Sequence, residues 1–131
     1  MADFKIWMNG KLVPQAEAVL PVNSAAVFYA SNVFEGIRAY WNEADGELYA
    51  FRLAEHFERF RESMKMMRFT IPYQDLDLYD AVRAVLKGNE AREDIHMHMV
   101  AYVAGVGLEA VVGLEVEPRG RERGASSYAG G

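Results

Sequence analysis

The sequence predicts an α+β fold, a small antiparallel-type sheet carrying two main helices. Three observations predict it. Short runs rich in β-forming residues stand near both ends of the regular part of the chain. Two stretches of helical periodicity follow each other between them. Strands and helices do not alternate one for one, as a doubly wound parallel sheet demands. The length of 131 residues fits one domain, and a 20–50 residue repeat is absent.

Each element has its own signal. Ile6-Trp7-Met8 and Lys11-Leu12-Val13 flank Asn9-Gly10. Asn and Gly both tolerate positive φ, so the pair predicts a tight hairpin, and Pro14 ends its second strand. Residues 23–32 suit a short helix capped by Asn23 or Ser24. Ile37 to Trp41 and Glu47 to Phe51 read as two strands around a turn from Asn42 to Gly46. Leu53, Phe57, Phe60, Met64 and Met67 recur every three or four residues and form one apolar stripe of a helix. Pro72 breaks the chain and Asp75 opens a second helix, with Leu78, Val82, Val85 and Leu86 inward and Gly88-Asn89 at its end. Ile95 to Val103 alternates and is rich in β-formers, which predicts a strand.

The folded domain is expected over residues 1–117. Residues 118–131 (PRGRERGASSYAGG) set Arg119, Arg121 and Arg123 against Glu122 alone and lack apolar periodicity. They read as a disordered tail, or as the product of a frameshift in a GC-rich gene.

Composition narrows the function. The chain is 51% hydrophobic and 25% charged, as ordinary globular domains are. It has no cysteine, which removes disulfides, thiolate chemistry and Cys-ligated zinc. A net charge of −5 argues against nucleic acid or an anionic membrane as partner. No apolar run approaches the ~18 residues of a membrane span, and a signal-peptide pattern is missing, so a cytoplasmic protein is expected.

Few residues stand out for chemistry. His96 and His98 share one face of a strand, and with His56 they would make a three-histidine metal set. Without a carboxylate at supporting spacing they read as ordinary polar positions, and no metal site is expected. Met64, Met67, Met97 and Met99 read as core filling. Arg59 lies off the apolar stripe, where spacing alone makes it a solvated residue paired with Glu55 or Glu62. In Val33-Phe34-Glu35-Gly36-Ile37-Arg38 a glycine between an aromatic and an Ile-Arg strand marks a bulge or a close approach.

Three segments together carry a resemblance. They are Ile6-Trp7-Met8-Asn9-Gly10-Lys11-Leu12-Val13, the run from Phe28 to Tyr40 (FYASNVFEGIRAY), and Phe51-Arg52-Leu53-Ala54-Glu55-His56-Phe57-Glu58-Arg59-Phe60. In order and spacing the chain resembles the N-terminal small domain of fold-type IV (class IV) pyridoxal-phosphate enzymes, most of all the branched-chain amino acid aminotransferases. The resemblance covers about residues 4–107. It implies that Arg59 holds the cofactor phosphate. It also implies that Phe34 walls the substrate pocket, that Gly36 allows close approach, and that Arg38 and Tyr29 orient polar groups there. Where many relatives have a Tyr-x-Arg pair near the substrate carboxylate, this chain has His96 and His98. A histidine is a weaker, pH-dependent carboxylate partner.

The family's Schiff-base lysine lies in a second, larger domain. Lys5, Lys11, Lys65 and Lys87 do not match its motif. The resemblance therefore implies a truncated enzyme, inactive alone and binding pyridoxal phosphate weakly or not at all, with that cofactor and an amino acid and 2-oxo acid as ligands of the complete form. It also implies a homodimer or a missing large domain. A fragment of a related class IV transaminase or of an aminodeoxychorismate lyase is the second expectation. A non-enzymatic dimerisation or interaction module is the third.

Overall fold

The structure is a computed structural model, and it describes residues 4–105 and 109–118. The hairpin forms as the Asn-Gly signal predicts. Strand β1 (Lys5–Met8) pairs antiparallel with β2 (Lys11–Pro14), and Asn9 and Gly10 both take positive φ, 51° and 96°. A turn with two such residues matches the right-handed twist of the strands. A 3-10 turn (Gln15–Glu17) and a four-residue helix α1 (Ala25–Phe28) follow. The helix is shorter than the 23–32 stretch allowed. Tyr29 closes it, and Ala30 turns left-handed at φ 50°.

Strand β3 (Asn32–Asn42) therefore begins five residues before the expected Ile37. It pairs with β4 (Glu47–Ala50) on one side and with β5 (Ile95–Tyr102) on the other. A further strand, β6 (Val111–Pro118), was not expected. It pairs antiparallel with β5 along its whole length and also with β1. The result is a six-stranded antiparallel sheet in the order β2-β1-β6-β5-β3-β4. β6 runs through Pro118, one residue past the expected domain end, and the Gly/Arg-rich stretch 119–131 lies outside the described residues.

Helices α2 (Leu53–Met66) and α3 (Asp75–Gly88) cover one face of the sheet, α2 against β3 and α3 against β1 and β6. From α2 the predicted stripe delivers Phe57, Phe60 and Met64 to the core, while Met67 lies past the helix end and is exposed. From α3 come Leu78, Ala81, Val82 and Val85, and from the strands Ile37, Met97, Met99, Val112 and Leu114. Met64, Met97 and Met99 do fill core space. Each fully buried large side chain removes enough apolar surface for about 1.5–3 kcal/mol.

Polar ties fix the helices. The Arg61 guanidinium bonds Asp75 at 2.5 Å and the Tyr73 carbonyl at 3.1 Å, joining α2 to the start of α3. Gln74 and Asp77 close α3 with a reciprocal capping box. At its other end Asn89 clips β1 by accepting from Lys5 N and donating to Lys5 O. Gly88 is not the left-handed residue its position suggested. It is helical, the positive φ falls on Glu90, and a Cβ at Gly88 would run into Leu12.

Candidate functional site

Strand β3 organises the candidate site, because its side chains alternate between two faces. Glu35, Ile37 and Ala39 turn toward the helices and are buried, while Phe34, Arg38 and Tyr40 face the other way and are exposed. A glutamate at a core-facing position needs partners, since burying an unpaired carboxylate is costly. Glu35 is only 4% exposed, and α2 supplies two partners one turn apart. His56 donates from Nδ1 to Oε1 at 2.8 Å. Arg59 donates from Nε to both carboxylate oxygens at 3.0 Å, and its Nη2 lies 2.9 Å from Oε1.

This arrangement fixes the Arg59 guanidinium by one edge. The Glu35 carboxylate, through these hydrogen bonds and through its charge, raises the Arg59 pKa further, so the cation is permanent. The side chain remains 64% exposed. A guanidinium has five N–H donors, and those not turned to Glu35 are presented to water. Spacing alone pairs Arg59 with Glu55 or Glu62; its partner is Glu35, 24 residues away on β3. Sequence reading did not single out Glu35. The available signal was its parity: an acid in phase with Ile37 and Ala39 on an alternating strand.

The opposite face of the sheet gathers the remaining candidates. Gly36 pairs in register with His98, and Arg38 with His96. Phe34 stands one pair further along, opposite Val100. Across β5, His98 is opposite Glu115 and His96 opposite Glu117. His98 Nδ1 donates to Glu115 Oε1 at 2.9 Å and lies 3.7 Å from Glu117 Oε2. The two imidazoles are 4.5 Å apart between ring centres. Gly36 makes room for them, since a Cβ there would sit 2.9 Å from His96 Nε2. Glu115 and Glu117 went unnoticed in the sequence because β6 did.

Phe34, Gly36, Arg38, His96 and His98 therefore share one face. Tyr29 follows α1 and is 78% exposed. A groove of about 410 Å³ opens beside them, lined by Ile6, Met8, Val19, Val27, His98 and Val100 among others. Arg59 and His56 are not part of this gathering. They approach β3 from the helix side, through Glu35, so the sheet separates them from His96 and His98. Among the described residues no helix is long and apolar enough to cross a membrane.

Known proteins show the same architecture. A branched-chain aminotransferase from the archaeon Thermoproteus uzoniensis, solved with norvaline, superposes with a TM-score of 0.83 at 37% identity, over 89% of this chain and 41% of that one. The chain belongs to the fold-type IV aminotransferase family. It corresponds to the family's small domain. The branched-chain amino acid aminotransferase from Thermobaculum terrenum, solved in its PLP-form, gives a TM-score of 0.77 at 29% identity, over 88% of this chain and 40% of that one. In sequence, a probable branched-chain-amino-acid aminotransferase of Aquifex aeolicus is 34% identical over 100 residues, 76% of this chain and 32% of its own length. The chain spans about a third of the length of the curated relatives it matches. No protein-family model matches it.

Proposed function

We propose that this chain is the small-domain part of a branched-chain amino acid aminotransferase. In this reading Arg59 binds the phosphate of pyridoxal phosphate, and the opposite face of β3 borders the substrate. The carrying observation is the Arg59 guanidinium, held on one edge by the buried Glu35 and open on the other. An immobilised planar fork suits a phosphate dianion, and little side-chain freedom is left to lose on binding. The residues present thus fit the cofactor's phosphate end. When bound, pyridoxal phosphate supplies the electron sink that amino-group transfer requires.

On the substrate side Phe34 offers an apolar wall to an aliphatic side chain, and Gly36 leaves space beside His96. Arg38 presents a guanidinium on this face and serves the substrate carboxylate, with Tyr29 as a further polar orienting group. His98 is poorly placed for that task alone, because Glu115 and Glu117 already converge on its Nδ1. That acidic setting also favours a second reading, a related class IV enzyme with a substrate other than a simple branched-chain acid. Exposed Val22, Phe28, Tyr29 and Phe34 support a covered face, against a large domain or a second copy. A cytoplasmic location accords with these ligands.

The test is a titration of the 131-residue chain with inorganic phosphate and with pyridoxal phosphate, followed by nuclear magnetic resonance. Saturable binding that Arg59→Ala abolishes, with the fold intact, supports the reading; equal binding by the variant overturns it. The chain alone is expected to transfer no amino group from L-leucine to 2-oxoglutarate. Lys5, Lys11, Lys65 and Lys87 are all solvent-exposed, and borohydride reduction with the cofactor is expected to leave none of them stoichiometrically labelled.

A further inference from the structure

We propose that His96, His98 and Glu117 bind one divalent transition-metal cation on the face of the sheet opposite α2 and α3. The proposal stands on these side chains and does not depend on the aminotransferase reading. His96 and His98 are two residues apart on β5, so both imidazoles rise from the same face. The register with β6 sets Glu117 opposite His96 and Glu115 opposite His98, four potential donors at the corners of one square. One ligand atom each from His96, His98 and Glu117 lies within 4.8 Å of the others.

Metal–ligand bonds of about 2.0–2.2 Å hold donor atoms roughly 3–4 Å apart. The observed spread is slightly wider, and all three side chains are only partly buried, so small rotations close it. Gly36 leaves the space in which the His96 ring turns. Two imidazoles and one carboxylate suit zinc or a neighbouring first-row metal, whereas magnesium and calcium prefer all-oxygen sets. Glu115 has its own part. It accepts from His98 Nδ1 at 2.9 Å, as the carboxylates behind metal-bound histidines do to fix tautomer and ring orientation. Glu115 and Glu117 thus set two carboxylates beside the two imidazoles, on the strand next to β5. Three protein ligands leave a coordination position open toward the groove, where an anionic oxygen of a small ligand would bind.

The test is calorimetric titration of the full chain with zinc chloride, without phosphate or cofactor, beside proton spectra of the three imidazoles. One zinc per chain is expected, with the His96 and His98 resonances moving and those of His56, held by Glu35, unchanged. His98→Gln and Glu117→Gln should each weaken binding by roughly tenfold or more, with circular dichroism confirming the fold. Should His98→Gln unfold the chain, Glu117→Gln and the wild-type spectra decide. Absence of binding, binding that survives Glu117→Gln, or a response centred on His56 overturns the site. Because the titration omits phosphate, its failure leaves the Arg59 reading untouched.

Discussion

Replacing Glu35 by glutamine keeps the volume of the side chain and removes its charge. In the native protein the carboxylate offers only acceptors, and it receives the His56 Nδ1 proton at 2.8 Å and the Arg59 Nε proton at 3.0 Å. The amide offers one oxygen and one NH₂ group. Whichever way it turns, a donor then faces either His56 or Arg59. The variant loses the charge assistance of these hydrogen bonds and either leaves one donor unmet or drives His56 to the tautomer whose Nδ1 accepts, about 1–3 kcal/mol together. Most of this arises at the carboxylate and at His56, which are 4% and 18% exposed. Arg59 is 64% exposed, and water screens its share. For a domain of this size the loss corresponds to a fall in Tm of roughly 4–12 °C, read by circular dichroism. A second effect separates structure from function. A released Arg59 side chain regains its rotamers, so phosphate binding weakens beyond what the melting shift explains, at temperatures where the variant is fully folded. A melting point within a degree of wild type, with unchanged phosphate affinity, would refute both the burial argument and the role of Glu35 in holding Arg59.

Three further outcomes are expected. Burial raises the Tyr102 phenol above its usual 10.0, so the folded state keeps that proton to higher pH than the unfolded state does. The stabilisation is full below about pH 10 and is lost as pH rises through the folded value; Tyr102→Phe should flatten the decline of the urea midpoint above that pH. Gly36→Ala pushes a methyl against His96 Nε2, and since a partly exposed ring can turn aside, the His96 and His98 resonances should shift while stability changes little. Phe60 is fully buried, and its replacement by alanine should cost about 3–5 kcal/mol, seen as a large fall in the urea midpoint.

Local patterns revealed most of the fold. The Asn9-Gly10 turn and the Phe57/Phe60/Met64 stripe are set by φ preference and helical period, which neighbours in sequence determine. β6 escaped notice although Val112, Leu114 and Val116 alternate with Gly113, Glu115 and Glu117. Its glycine and its acids lower strand propensity, and its stability comes from pairing with β5 and β1. The expected extent of the helix before β3 failed for a related reason. The helix stops at Tyr29, Ala30 turns left-handed, and Asn32 is taken by long-range pairing with Tyr102 of β5. At the candidate site, Arg59 and the two histidines drew attention as residues, but their partners did not. Glu35, Glu115 and Glu117 reach them across strands or from strand to helix, and spacing along the chain does not report such contacts.

The alternation of β3 also bears on which substitutions the protein can accept. Phe34, Gly36 and Arg38 can change without touching the helices, so the groove side of the strand is open to retuning at small cost to the fold. Glu35, Ile37 and Ala39 answer to the core and to Arg59, and tolerate little. A single-residue insertion in the strand would exchange the two sets, carrying Phe34 toward α2 and Glu35 into the groove. Evolution can therefore reshape ligand preference here by substitution, whereas changes in the length of β3 are closed to it.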